Sequence, residues 1–184
     1  GSRDATWETI RAILETHPHW QAGRLTRRFG HQSALLAGFS VAGGLAVVTM
    51  DADGQHPPRL LSTLIDEWRR GAKVVQMIRL AGGAEPWLKR ITSRLFYGLF
   101  STLCDVRIRP AAADFRLLDR EVVDVILGSE GPAPFLRGLI PWLGWETVEL
   151  TYSPDTRLAG KTKYSLGRMI RLAIDGLMSF SIVP

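Results

Sequence analysis

Leu45-Ala-Val-Val-Thr-Met-Asp-Ala-Asp-Gly-Gln-His-Pro-Pro58 is the stretch on which the fold turns. Its first part is short, mostly apolar and β-branched in the middle, which reads as a buried strand. Asp51 and Asp53 follow at once. Pro57-Pro58 then opens a helix with Leu60, Leu61, Leu64, Ile65 and Trp68 on its inner side, closed by Gly71. In open α/β sheets ligands bind beyond the carboxyl ends of the strands, where this turn puts two carboxylates. Two hard oxygen donors suit Mg²⁺ or Mn²⁺, with ligand oxygens and water completing the shell. Gln55 and His56 add polar groups just beyond. The same aspartates can also start a turn and cap the helix at Pro57, so the spacing alone leaves both uses open.

Working outward, Asp4 or Thr6 caps a helix carrying Trp7, Ile10, Ile13 and Leu14, and a second helix over 31–42 stops at Gly43-Gly44. A strand is predicted at 73–78, a loop at Gly82-Gly83 and a long helix over 86–103 with Ile91, Leu95 and Leu99 at four-residue spacing. After a further loop, Asp119 caps a helix through Leu127, and 128–134 is rich in turn residues. Residues 146–152 alternate strictly, with Val148, Leu150 and Tyr152 on one face. Residues 153–163 form a polar, basic loop, and 165–180 a helix with Leu166, Met169, Ile170, Ala173, Ile174, Leu177 and Met178 on one stripe. Alternating helices and strands predict an α/β domain with a mostly parallel sheet flanked by helices, and no linker divides it.

A chain of 184 residues with 46% hydrophobic and 22% charged content can bury a real core and is neither disordered nor fibrous. The net charge of +5 favours anionic partners: phosphates, nucleotides, acidic lipid headgroups or nucleic acid. The cations do not cluster on one helix and do not interleave with aromatics, which argues against nucleic acid. Cys104 is the sole cysteine, so the sequence holds neither an internal disulfide nor a multi-cysteine zinc site. His31 and His56 lack metal-ligand spacing and read as structural. No signal peptide opens the sequence, and no apolar run reaches bilayer length. The apolar ending, 177–184, reads as a boundary just before something hydrophobic.

Val48-Thr-Met-Asp-Ala-Asp-Gly-Gln-His-Pro-Pro58 resembles the signature of the dolichyl-phosphate mannose synthase-like branch of glycosyltransferase family 2. These are polyprenyl-phosphate glycosyltransferases with a GT-A fold. Arg28-Phe-Gly-His-Gln32 with Ala37-Gly38, Asp114-Phe-Arg-Leu-Leu-Asp-Arg120, Phe135-Leu-Arg-Gly-Leu139 with Trp142, and Arg157-Leu-Ala-Gly-Lys-Thr-Lys-Tyr-Ser165 are similar to further blocks of the family, in family order. Asp175-Gly176 and Ser179-Phe-Ser181 fit its membrane-leading helix. Gly54 stands where Leu is usual, Ala113 where Gly is frequent, and Arg28-Phe-Gly30 where Asn often follows Arg27. Gly1-Ser2-Arg3-Asp4 resembles the second half of the family's Asp-Asp-Gly-Ser turn, which implies that the first βαβ unit lies outside this sequence. Residues 1–164 would then be a partial GT-A domain and 165–184 an amphipathic juxtamembrane helix.

The resemblance implies inverting transfer of a glucose- or mannose-like sugar from a UDP- or GDP-linked donor to a polyprenyl phosphate. The setting would be the cytoplasmic membrane face, with transmembrane helices following in the full-length protein. Asp51, Asp53 and Gln55 would hold the cation and the diphosphate. Asp114 would sit on the acceptor side as a base, as a positioning group, or simply paired with Arg116. Arg157 and Lys163 lie in a loop that either closes over the diphosphate or stays solvated. Arg79, Lys89 and Ser93 would hold the acceptor phosphate, or else the last two are ordinary residues of an exposed helix face. The last helix, with Arg168 and Arg171 off its stripe, packs into a core or lies on an anionic lipid surface. A saccharide alcohol acceptor, or a non-catalytic nucleotide-binding role, are the alternatives. A homo-oligomer is compatible with the sequence.

Overall fold

A computed structural model describes residues 4–80, 111–129 and 136–155. The chain divides into two compact units, residues 1–43 and 44–184, a boundary that its composition does not mark. The first holds α1 (Thr6–Thr16) and α2 (His31–Val41). Ala5 occupies the cap position of α1, while Asp4 Oδ1 accepts from the Thr6 amide at 3.2 Å and the Thr6 hydroxyl at 2.5 Å. The expected side-chain cap by Asp4 or Thr6 is therefore corrected: Asp4 holds the helix entry from the position before the cap. In the same unit the Arg27 guanidinium lies 4.5 Å from the Phe29 ring centroid.

The second unit runs β1 (Ala46–Thr49), a 3-10 turn (Pro58–Leu60), α3 (Leu61–Arg69), β2 (Val74–Arg79), β3 (Ala112–Asp119), α4 (Arg120–Gly128), α5 (Leu136–Trp142) and β4 (Thr147–Tyr152). The sheet order is β1-β3-β2-β4. β3 pairs antiparallel with both β1 and β2, and β2 pairs parallel with β4. β1, β2 and β4 therefore share one direction, and β3 lies reversed between β1 and β2. The expectation of a mostly parallel sheet is corrected to a mixed one. Residues 112–119 read as loop because Asp114 and Arg116 break the apolar pattern. Those two charges neutralise each other inside the sheet, so the segment can be a central strand.

Val48, Leu117, Val75 and Val148 stand side by side across the four strands. With Leu64, Met77, Phe115, Tyr152 and the half-buried Trp68 they form a core beneath α3. Leu64 is fully buried, whereas Ile65, expected inward, is 36% exposed at the helix rim. α4 packs on β3 and β1 through its buried Val122, Val123 and Ile126. The helix over 86–103, Cys104, most of the basic loop and the last helix lie outside the described residues. No helix among the described residues is long and apolar enough to cross a membrane.

Asp119 joins three elements at the edge of the sheet away from the aspartate turn. It caps α4 by accepting from the Glu121 amide at 3.1 Å, and also accepts from Trp68 Nε1 at 2.7 Å and Lys73 Nζ at 3.1 Å. Burial pushes this carboxyl up, but the bonds from Trp68, Lys73 and Glu121 together hold it below its ordinary value of 3.8. A depressed carboxyl contributes stability above its unfolded value, and that contribution is lost as pH falls through the folded value. Asp119→Ala is expected to lose about 1–2 kcal/mol at neutral pH and to show a flatter fall in stability below about pH 4. Urea unfolding across that range checks both, and an unchanged acid dependence would refute the assignment.

Candidate functional site

β1 ends at Thr49, β2 at Arg79 and β4 at Tyr152, and β3 begins at Ala112, all at one edge of the sheet. Thr49, Arg116, Gln76 and Glu149 are in register across it. Among the described residues the buried polar or charged side chains are Thr49, His56, Gln76, Asp114 and Arg116, and all lie toward this edge. Desolvating polar groups is costly, so their concentration here marks a built site rather than a packing accident.

The Asp51-Ala-Asp53 turn is set by its neighbours. The Asp51 amide donates to His56 Nδ1 at 2.8 Å, and the Gln55 amide donates to Asp53 Oδ1 at 3.1 Å. Gly54 takes φ 81°, a region glycine enters without steric cost. His56 is 5% exposed, stacked on Phe115 at 5.0 Å and edge-on to Tyr152 at 6.0 Å. Burial lowers its imidazole below 6.5, Arg79 adds to this, and Asp51, Asp53 and Asp114 oppose it. With Nδ1 accepting, the neutral ring carries its proton on Nε2, 3.9 Å from Asp51 Oδ2. His56 thus braces the turn from within. The Asp51 side chain is 45% exposed and Asp53 half-buried. No group of three or more His, Cys, Asp or Glu converges among the described residues. The donor set fits a hard cation whose shell is completed by ligand oxygens and water.

Asp114 sits in a β-bulge. Gln76 pairs with Arg116 but Ile78 pairs with Ala112, so β3 carries extra residues around Asp114. The Gln76 amide stitches the bulge, donating to the carbonyls of Ala113 at 2.7 Å and Met77 at 2.9 Å. Ala111, just ahead, takes φ 66° while its carbonyl accepts from the Arg79 amide at 3.0 Å, a strained residue at the site's margin. Asp114 is 6% exposed and held by two guanidinium groups. Arg116 Nη2 donates to Oδ1 at 2.6 Å; from α5, Arg137 Nε donates to Oδ1 at 3.2 Å and Nη2 to Oδ2 at 2.9 Å. Burial depresses Arg116 to about 10, Asp114 opposes this and Arg137 adds like-charge repulsion, so Arg116 stays cationic at neutral pH.

Of the residues singled out in the sequence, Asp51, Asp53, Gln55, Arg79 and Asp114 belong to this edge. Lys89, Ser93, Arg157 and Lys163 lie outside the described residues. A fork between Arg59 and Asp155, at 2.9 and 3.0 Å, ties the start of the basic loop to the 3-10 turn. Arg137 and the bracing role of His56 escaped the sequence reading. A lone cation in Leu136-Arg-Gly-Leu-Ile140 was the available signal, because a buried helix admits one only against a carboxylate.

Asp114→Ala is expected to destabilise the protein by about 3–5 kcal/mol, because it strands Arg116 in the interior. Arg137→Ala should cost less, its side chain being 27% exposed. Equilibrium denaturation checks this, and a loss below about 1 kcal/mol for Asp114→Ala would contradict the buried clamp.

Residues 1–127 match the profile of Glycosyl transferase family 2. The chain is 39% identical over 184 residues to the uncharacterized glycosyltransferase YkcC of Bacillus subtilis (strain 168), and 35% identical over 184 residues to a prophage bactoprenol glucosyl transferase homolog of Escherichia coli (strain K12). All of the chain is matched in both cases, spanning 57% and 60% of those proteins' lengths. Glucosyl-3-phosphoglycerate synthase from Mycobacterium tuberculosis, in complex with phosphoglyceric acid, superposes with TM-score 0.57 at 18% identity, covering 100% of this chain and 67% of that one. Its complex with Mn²⁺, UDP-glucose and phosphoglyceric acid gives 0.53 at 17% identity, covering 97% and 64%. The fold is of GT-A type, and the chain belongs to glycosyl transferase family 2.

Proposed function

We propose that this family 2 glycosyltransferase moves a glucose- or mannose-like sugar, with inversion, from a nucleotide diphosphate donor to a polyprenyl phosphate. The observation that carries the reading is the Asp51-Ala-Asp53 turn, braced by His56 at the carboxyl edge of the sheet and standing near Arg79. The 35% identity to a protein named as a bactoprenol glucosyl transferase homolog supports the lipid acceptor and a glucosyl donor. A phosphate oxygen of the acceptor attacks the anomeric carbon as its bond to the donor diphosphate breaks, releasing the nucleoside diphosphate.

Asp51, Asp53 and Gln55 would hold Mg²⁺ or Mn²⁺, which when bound neutralises the diphosphate leaving group. Arg79, with Lys89 and Ser93, would take the acceptor phosphate, and Arg157 and Lys163 would cover the leaving group. Both Asp114 oxygens already accept guanidinium N–H groups. That supports a positioning role for Asp114, and a phosphate acceptor is anionic near neutral pH and has little need of a base. The reaction would take place at the cytoplasmic face of a membrane, with 165–184 as the juxtamembrane helix.

Asp51→Asn or Asp53→Asn in the full-length protein is expected to lower kcat/KM for transfer from UDP-glucose to undecaprenyl phosphate by about two orders of magnitude, and EDTA to abolish it. Radiolabelled transfer into the lipid fraction is the measurement. Transfer onto a saccharide alcohol, with none onto the lipid phosphate, would overturn the acceptor; binding of nucleotide without any transfer would overturn the reaction.

A further inference from the structure

We propose that the Tyr152 hydroxyl is a ligand-binding donor, reserved for a phosphate oxygen that binds beside Arg79 and the Asp51-Ala-Asp53 turn. The inference rests on the proposed function, and it adds a residue which neither the sequence pattern nor that reading assigns.

Tyr152 closes β4 and is 4% exposed, its ring edge-on to Phe115 at 5.9 Å and to His56 at 6.0 Å. Its hydroxyl oxygen, like Thr49 Oγ1, is buried with no hydrogen-bond partner among the described residues. Buried polar atoms left unpaired are uncommon, because each is destabilising. Packing does not explain the oxygen. Phe115 fills the same core with the same ring and no hydroxyl, and phenylalanine at 152 would meet that need at no desolvation cost.

The surroundings suit one kind of acceptor. Arg79 is the register neighbour of Tyr152 in the parallel β2–β4 ladder, so the two side chains leave the sheet on one face. Arg79, Asp51 and Asp53 all lie within electrostatic reach of the hydroxyl. Burial raises the phenol above 10.0, Arg79 opposes this, and the two aspartates add to it, so the group remains a protonated donor at neutral pH. A donor beside a guanidinium and a pair of cation-binding carboxylates suits an anionic phosphate oxygen. Two sources share that chemistry, the diphosphate of the donor and the monophosphate of the lipid acceptor.

Tyr152→Phe in the full-length protein separates a ligand role from a structural one, because the two predict opposite effects. Without ligand, the variant should be as stable as the wild type or more so, since it deletes an unpaired buried oxygen. Affinity for one phosphate probe should fall about tenfold. Calorimetric titration with Mn²⁺ and UDP reports the diphosphate, and titration with farnesyl phosphate reports the acceptor side. A loss confined to one probe assigns the source. Affinities within about twofold of the wild type for both probes, or a variant less stable without ligand, would overturn the proposal. A wild type that binds neither probe brings down the proposed function and this inference together; a wild type that binds, with an unaltered variant, brings down this inference alone.

Discussion

The buried contact between Asp114 and Arg116 on the central strand is the constraint on which the second unit depends. A reversed strand carrying two charges can run between β1 and β2 only if those charges satisfy each other within the sheet. Removing Asp114 would strand the Arg116 guanidinium in the interior, whereas Asp114 without Arg116 would still be held by Arg137. Arg137 completes it from α5 and thereby ties that helix to the sheet. The bulge around Asp114 follows from the same demand: extra residues give the strand room to aim its carboxylate at both guanidinium groups, and Gln76 takes up the carbonyls that leave the ladder.

This arrangement divides the sheet into two ends with different chemistry. Toward Asp119 the joins hold shape: an indole, an ammonium and a helix cap meet one carboxylate, above a row of valines and leucines. Toward Asp51 the sheet gathers its buried polar groups. Because the apolar end secures the helices, the polar end is free to hold charged groups in fixed positions.

How far the sequence reveals this depends on whether a signal is local. The strand before Asp51, the helix after Pro58, the cap at Asp119 and the alternation in β4 each announce themselves through neighbours a few residues away, and each stands close to its expected place. β3 did not, because what makes it a strand is pairing with β1 and β2 far along the chain, and its charges disguise the period. The same holds for the site. The aspartate pair is visible as a spacing and Arg79 through family resemblance. The clamp of Arg137 on Asp114 joins residues 23 apart, and only the folded chain brings them together.

His56 shows what the fold adds to a residue that the sequence reads only as structural. In the sequence it stands beside two carboxylates with no second histidine at metal spacing, and so reads as structural. In the fold its Nδ1 is committed to the Asp51 amide and its ring to Phe115, so its contribution is to hold the backbone from which the aspartates project. An imidazole suits this task because it offers an acceptor nitrogen on a flat ring that stacks in an apolar core. A carboxylate there would add negative charge behind two aspartates, and an aliphatic residue would leave the Asp51 amide unpaired. The aspartate turn is therefore fixed from within by a neutral imidazole, and the negative charge stays on the two carboxylates that project from it.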